Sequence, residues 1–371
     1  DDNPSPYAEL AGPFNAIRSL DARSSARDAD GIPDLAKVDD LYHATINGRG
    51  RYYNAYDAQD LISSFADLLD RVSSAAEPEA SNASVAVSTA QLGDDTLQFQ
   101  TVVDASRWRG ELRAYQVSMG DGQEPCGAKP RGELCQSGTA TYWTAPLAMA
   151  ANDREIITLA AGTPEAFTAD NFSELSRAQQ LGLLGCGAET DVWSGDKAHC
   201  NVGVDLASDY PDQLQLAKDR IDYLRGDAAK ETDTADGFRA RDGHWLGDSI
   251  GSNVQVVTAP GRMFRDADYA AFRNSDAVKN RARMVYVGAN DGMLHAFDAA
   301  DGTERFAYVP EAVYTHLSDL ADPDYGEFIP KRAFVDGPLA SADAKFSNAD
   351  GNGGWRSVLL GSLGLGAQGV Y

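Results

Sequence analysis

A mainly β fold, part of a β-propeller carrying helical insertions, follows from three features of the chain. The first is Met284–Pro310, which reads MVYVGANDGMLHAFDAADGTERFAYVP. A β-branched run, Val285–Val287, meets the turn Gly288-Ala-Asn-Asp-Gly292, and a second alternating run, Met293–Asp298, follows. The turn Asp301-Gly302 then leads into Arg305–Val309. Short runs joined by Asn/Asp/Gly turns predict an antiparallel meander, the unit of a propeller blade. The second is an internal repeat: Gly110-Glu-Leu-Arg-Ala-Tyr115 matches Gly292-Met-Leu-His-Ala-Phe297. Both hexamers open after a turn and alternate with period two, as a repeated blade strand requires. The third is Gly369-Val370-Tyr371, which reads as the start of another copy. Two or three blades fit this length, whereas a closed propeller needs at least about four.

Residues 1–36 are rich in Pro, Asp, Ser and Ala and read as loop. Leu41–Tyr56 reads as a short strand or turn around Asn47-Gly48 and Gly50. Asp57 caps an expected helix through Ser74, because Leu61, Phe65, Leu68, Leu69 and Val72 share one helical face. The Ala/Ser/Glu/Pro stretch Ala75–Ser84 breaks the pattern, and a linker over 77–92 separates a first domain, 1–76, from a second, 93–371. Strands are expected at Thr96–Val103, Trp108–Val117, Ala140–Thr144 and Ile156–Ala160. Residues 170–226 form the helical insertion. It holds one helix within Phe172–Leu184, opened by Ser173, and a second at Tyr210–Arg225 with Pro211 near its start and Gly226 at its end. Strands resume at Asn253–Thr258 and in the meander. Ala312–Leu320 reads as a short helix or turn, and Arg332–Asp336 and Trp355–Leu360 as further strands.

The chain has 371 residues, of which 43% are hydrophobic, so a sizeable core is affordable. Its formal net charge of -24 argues against nucleic acid, whose phosphates need a Lys/Arg surplus, and against an anionic membrane surface. Acidic surfaces suit solubility outside the cell and can hold Ca²⁺. No run approaches the roughly 20 apolar residues of a membrane span. The chain opens at Asp1-Asp2-Asn3-Pro4 and stops within an expected strand, which reads as a segment of a longer protein.

The four cysteines form two local pairs in polar, Gly-rich stretches, Cys126 with Cys135 and Cys186 with Cys200. Even number and loop location favour two disulfides in an oxidising compartment. A four-Cys zinc site is the rival, but its Cys-x2-Cys spacing is absent. Free thiols are the third alternative.

Chemical motifs each have a plain structural counterpart. Gly247-Asp-Ser-Ile-Gly251 fits a nucleophile elbow, which needs a strand before Ser249 and a helix after it. Here an Arg/Asp-rich loop precedes and a strand follows, so a loop turn is expected. Gly364-Leu-Gly-Ala-Gln-Gly369 fits a dinucleotide fingerprint without a visible helix or downstream acid, so a hairpin turn is expected. Arg225-Gly226-Asp227 is an integrin-type tripeptide, but Gly226 also suits a helix C′ position. Asp28, Asp30 and Asp34 place carboxylates around Gly31 as a Ca²⁺ candidate, with the complete EF-hand pattern failing at Asp39. The histidines are scattered, and His295 reads as a packed or rim residue of a blade strand.

Several segments together resemble the propeller of the PilY family, type IV pilus assembly proteins and tip adhesins. They are Met284–Pro310, Phe334-Val-Asp-Gly-Pro338 and Trp355-Arg-Ser-Val-Leu-Leu-Gly-Ser-Leu-Gly364. Upstream, Leu41-Tyr-His-Ala-Thr-Ile-Asn-Gly-Arg-Gly-Arg51, Trp108-Arg-Gly-Glu-Leu-Arg-Ala-Tyr115, Tyr223-Leu-Arg-Gly-Asp227 and Leu246-Gly-Asp248 follow in the same order. The resemblance implies a von Willebrand factor A-like domain followed by a modified quinoprotein-like propeller. Residues 1–76 would be the tail of the first and Asp57–Ser74 its last helix. The metal-binding Asp-x-Ser-x-Ser motif of that domain is absent from this chain, and the family's propeller Ca²⁺ loop lies C-terminal to it, so neither site is carried over. The resemblance further implies secretion through the periplasm, display at the pilus tip and contact with minor pilins. Roles in pilus extension, twitching and adhesion to host or abiotic surfaces follow from it, without catalysis. The alternative is a quinoprotein-like dehydrogenase, which needs a quinone, a Ca²⁺ and an Asp base. The adjacent Cys-Cys pair of many such enzymes is missing here. A generic secreted binding propeller is the third reading.

Overall fold

The computed structural model describes residues 82–88, 96–104, 107–123, 125–136, 141–145, 154–187, 195–232, 237–347 and 353–371. The expected helix Asp57–Ser74, the Leu41–Tyr56 segment and the Ca²⁺ candidate Asp28, Asp30 and Asp34 lie outside these residues. Pro78–Tyr371 forms one compact unit, distinct from Asp1–Glu77. The fold is mainly β, with open sheets.

The first sheet is an antiparallel meander of β1 (Asn82–Val87), β2 (Leu97–Asp104), β3 (Arg109–Gln116) and β4 (Trp143–Thr144), in that order. β1 lies within the stretch expected to be linker. Its Val85 and Val87 are exposed, so this edge strand lacks the buried alternation that would reveal it. β4 is shorter than Ala140–Thr144, pairing with β3 only at Trp143 and Thr144.

The second sheet has the order β6-β5-β10-β9-β8-β7. Its strands β7 (Gln255–Val257), β8 (Met284–Gly288), β9 (Leu294–Asp298) and β10 (Glu304–Val309) form the expected meander. β5 (Ile156–Ala160) joins β10 in parallel, and β6 (Thr163–Ala166) folds back on β5. The first hexamer of the repeat lies within β3 and the second runs from the turn into β9, and both strands are flanked on each side. A third, two-stranded ribbon pairs β11 (Leu339–Phe346) with β12 (Gly354–Gly361). Arg332–Asp336 is not a strand. Its amides turn to other partners, Phe334 N–H to Asn290 Oδ1 and Val335 N–H to Ala289 O, so no ladder forms.

The insertion over 170–226 is helical as expected. It contains α1 (Arg177–Leu183), α2 (Leu206–Asp209), α3 (Pro211–Leu224) and short 3-10 segments. Ser176, not Ser173, opens α1. Its hydroxyl accepts from Gln179 N–H while Gln179 returns a bond to the Ser176 amide, a reciprocal box that satisfies two helix-end donors. α3 starts with Pro211 and ends in a Schellman turn, with Gly226 N–H on Tyr223 O and Asp227 N–H on Asp222 O. That turn requires the left-handed φ of +108° at Gly226. A 3-10 helix, Glu311–Ala321, packs on α1. Two further helices, α4 (Ala267–Asn274) and α5 (Asp276–Lys279), precede β8.

Two apolar cores sandwich the second sheet. On one side Phe99, Leu112, Ala114 and Trp143 of the first sheet meet Val285, Val287 and Phe297. On the other, Leu181, Ala217 and Ile221 of the helices meet Ile156, Val309 and Tyr314. Burying each large side chain contributes about 1.5–3 kcal/mol. Trp143 also donates its indole N–H to Ala299 O at 3.1 Å. A Cβ on Gly302 would reach 2.5 Å from that ring, so the Asp301-Gly302 turn needs glycine both for its φ of +75° and for the Trp143 contact.

Both expected disulfides form, Cys126–Cys135 and Cys186–Cys200. The second joins the loop after α1 to the 3-10 segment Gly195–Cys200, and both of its cysteines are buried in the helical core. With a sequence separation of 14, its removal by Cys186→Ala and Cys200→Ala is expected to cost about 2–4 kcal/mol. Denaturant unfolding of the paired variant checks this, and a loss under about 1 kcal/mol would contradict it.

Candidate functional site

The turn between β8 and β9, Gly288–Gly292, joins three segments at one end of the second sheet. Close approach is built in: a Cβ on Gly247 would lie 2.4 Å from Asp291 N, and one on Gly288 would lie 2.5 Å from Val335 O. Asn290 is the centre of the first cluster. Its Nδ2–H donates to Asp248 Oδ2 at 2.9 Å, its Oδ1 accepts from Phe334 N–H at 2.9 Å, and its own amide donates to Asp248 O at 2.9 Å. Lys331 Nζ lies 2.6 Å from Asp248 Oδ2 and 3.9 Å from the Trp108 ring centre. Asp336 Oδ1 accepts from Gly251 N–H at 2.7 Å, and Gly288 N–H donates to Ser252 Oγ at 3.0 Å. Loop 246–253, the turn and segment 331–337 are therefore tied together by side chains where no sheet ladder connects them.

The second cluster is a buried row of alternating charge. Arg154 Nε donates to Glu304 Oε2 at 2.5 Å, and Glu304 Oε1 accepts from His295 Nδ1 at 2.7 Å. His295 Nε2 faces both Asp291 oxygens at 3.1 Å. Asp291 also accepts from Gly247 N–H and Met293 N–H. His295 is fully buried. Burial alone would lower its pKa, but the Asp291 charge and hydrogen bonds to Asp291 and Glu304 raise it to about 9. Burial likewise pushes Glu304 up, while hydrogen bonds from His295 and Arg154 hold it down at about 2. For Asp291, burial is overcome by His295, and its pKa is lowered. Two cations and two carboxylates thus alternate and cancel. With both ring nitrogens donating, His295 has no lone pair to act as a base, and the row is a clamp.

A pH dependence follows. The raised pKa of His295 contributes stability that is complete below its ordinary value of 6.5 and lost as pH rises through about 9. The depressed pKa of Glu304 contributes stability complete above 4.5 and lost as pH falls through about 2. Unfolding free energy is therefore expected to plateau between pH 4.5 and 6.5 and to fall by about 3 kcal/mol by pH 9. Denaturant titrations at pH 6 and 9 test this, and equal stability at both values would contradict the charged state of His295.

The sequence motifs fall around this end of the sheet. Ser249 is 2% exposed and its Oγ has no partner among the described residues, with strand β7 following it rather than a helix. The fragment Gly364–Gly369 closes a turn after β12, where Leu363 N–H donates to Gly369 O and a Cβ on Gly366 would lie 1.8 Å from Phe334 O. Its glycines serve close backbone packing. His295 is packed, as expected. In Arg225-Gly226-Asp227, the Arg225 guanidinium donates to Phe167 O at 2.8 Å and Arg154 O at 2.9 Å, and Asp227 is exposed. Cys186 and Cys200 lie beside His199, but their sulfurs are already bonded to one another. Sequence reading missed Arg154, Asp248, Asn290, Asp291, Glu304, Lys331 and Asp336. One signal was present: His295 sits among the apolar residues Leu294, Ala296 and Phe297, and an ionisable side chain buried there requires partners.

Residues 246–371, which contain most of this clamp, match the family model described as the PilY1 beta-propeller domain. The chain is 32% identical over 328 residues to a "Type IV pilus biogenesis factor PilY1 homolog" of Xylella fastidiosa, covering 86% of this chain and 22% of that protein. It is 32% identical over 359 residues to "Type IV pilus biogenesis factor PilY1" of Pseudomonas aeruginosa PAO1, covering 91% of this chain and 26% of that protein. A further Xylella fastidiosa homolog is 42% identical over 164 residues, or 41% of this chain and 10% of that protein. No solved structure matches. The chain spans about a quarter of the length of the first of these curated relatives.

Proposed function

We propose, from a chain whose residues 246–371 carry the PilY1 beta-propeller domain, that this is the scaffold segment of a non-enzymatic type IV pilus biogenesis factor. It acts outside the cell at the pilus tip, with minor pilins as partners, and promotes pilus extension and adhesion to host or abiotic surfaces. The observation that carries this reading is the similarity to proteins named PilY1 along 86–91% of the chain, in the order of the motifs. The site chemistry is in keeping with it. Its ionisable groups neutralise one another in a buried row, and its amides tie loops together, as a display scaffold needs. Two disulfides suit an oxidising compartment. Among the described residues, no helix is long and apolar enough to cross a membrane. Ca²⁺ at Asp28, Asp30 and Asp34 is kept as a proposed accessory site. An integrin-type role for Arg225-Gly226-Asp227 would require the guanidinium to leave the Phe167 and Arg154 carbonyls.

The test is an in-frame deletion, scored by electron microscopy of surface pili, twitching and surface attachment. Loss of pili, restored by the full gene, supports the assembly role. Normal pili with lost attachment restrict the function to adhesion. Normal behaviour in all three overturns the reading.

A further inference from the structure

Beside the clamp, between the turn leading into β3 and loop 239–248, lies a notch with about 30 Å³ of free volume. One water needs roughly 10–15 Å³ measured this way. The space therefore takes a group the size of a carboxylate and excludes a nucleotide or a sugar.

Its wall is cationic and aromatic in a chain of net charge -24. Most of the nearby charges are already paired: Arg241 with Glu231 at 2.6 Å, Arg109 with Asp242 at 2.5 Å, Lys331 with Asp248 at 2.6 Å, and His295 with Asp291 at 3.1 Å. Arg107 and Arg239 are left over. Arg107 is exposed and makes no contact ion pair among the described residues, although its charge also reaches Asp242, the partner of Arg109. Arg239 gives its Nε–H to Leu320 O at 3.2 Å and lies 5.1 Å from the Tyr325 ring centre, without a carboxylate partner among the described residues. Two cations without a contact carboxylate thus line one carboxylate-sized space.

Two further observations fall at the same place. Trp108 and Asp242 adopt left-handed backbone, at φ +56° and +49°, although neither is glycine. Such residues cost about 1–3 kcal/mol each and cluster at binding sites. Trp245, also in the wall, has a buried indole N–H without an acceptor among the described residues.

We propose that this notch receives an aspartate or glutamate side chain of a partner protein. Arg107 and Arg239 supply the charge, and the aromatic wall packs on the methylenes. Repulsion from the rest of the acidic surface is screened beyond about 8 Å at physiological salt, whereas a contact pair is not. The proposal rests on the pilus reading only for where such a partner is met.

The test titrates the full 371-residue chain into a fluorescein-labelled, C-terminally amidated peptide of six glutamates, read by anisotropy and tryptophan fluorescence. Saturable binding that weakens with salt is expected. Arg107→Glu with Arg239→Gln should weaken it by about tenfold or more, and Arg107→Lys by less than about threefold. Because Arg107 is exposed and Asp242 keeps Arg109 as its contact partner, Arg107→Glu alone keeps the fold and should still weaken binding. Absence of saturable binding, an unchanged affinity in the variants, equal binding of a six-glutamine peptide, or displacement by acetate at equal concentration each overturns the proposal. Binding that persists although the deletion strain has normal pili would overturn the pilus reading and leave the notch intact. Loss of pili on deletion without peptide binding would do the reverse.

Discussion

Replacing His295 with leucine is expected to destabilise the fold by about 3–5 kcal/mol, among the largest effects of any single change in the chain. The cost is not that of a lost contact. His295 is the cation between Asp291 and Glu304, at 3.1 Å and 2.7 Å. Without it, Glu304 still has Arg154, but Asp291 loses its contact cation and keeps the amides of Gly247 and Met293 and the more distant charge of Arg154. A half-compensated carboxylate then faces an apolar side chain in a buried row, and its partner loops 246–253 and 289–292 lose their shared charge. Urea unfolding of His295→Leu measures the effect, and a loss under about 1 kcal/mol would sink the idea. A compensating variant sharpens it. Combining His295→Leu with Asp291→Asn removes the carboxylate that the single change leaves uncompensated, keeps the Arg154–Glu304 pair, and should recover much of the loss, because the cost lies in the unpaired buried charge. The fall in stability between pH 6.5 and about 9 should be absent from the same variant.

What the chain reveals before folding follows physical rules that act at short range. The meander Met284–Val309 was legible because turn chemistry and period-two alternation are local, and Gly288–Gly292 announces itself as Asn/Asp/Gly. Helix α3 was legible from Pro211 and Gly226 for the same reason. The cap of α1 was misplaced by one candidate serine, although Ser176 and Gln179 carry the capping spacing and Ser173 does not. β1 was hidden because an edge strand with exposed Val85 and Val87 has no buried face to impose alternation. Arg332–Asp336 looked like a strand by composition, but its amides are taken by a side chain and a turn some forty residues away. The candidate site was the least legible part. Arg154 and Glu304 are separated by 150 positions, and Asp248 and Lys331 by 83, so no spacing along the chain links them. Only the parallel pairing of β5 with β10 and the closure of the loops bring them together.

Asn290→Asp is the companion test, and it isolates the first cluster. The substitution conserves shape, leaves Phe334 N–H an acceptor, and replaces the Nδ2 donor with an oxygen facing Asp248 Oδ2 across 2.9 Å. Asp336 Oδ1 lies 3.5 Å from the same atom. Three carboxylates would then share a buried site with Lys331 as the near cation, at a cost of about 3 kcal/mol or more at pH 7. Asn290→Ala serves as the control, because it loses the same donor without adding charge and should cost about 1–3 kcal/mol for the groups left unpaired. The two variants also differ in their response to acid. The introduced carboxyl has its pKa raised by burial and by Asp248 and Asp336, so its penalty shrinks once pH falls below that raised value and vanishes below the ordinary carboxyl value of about 4. Asn290→Asp should therefore converge on Asn290→Ala near pH 4 and separate from it at pH 7. Equal stability of the two variants across that range would mean that the turn holds its neighbours by backbone packing through Gly247 and Gly288, and that Asn290 contributes little as a polar hub.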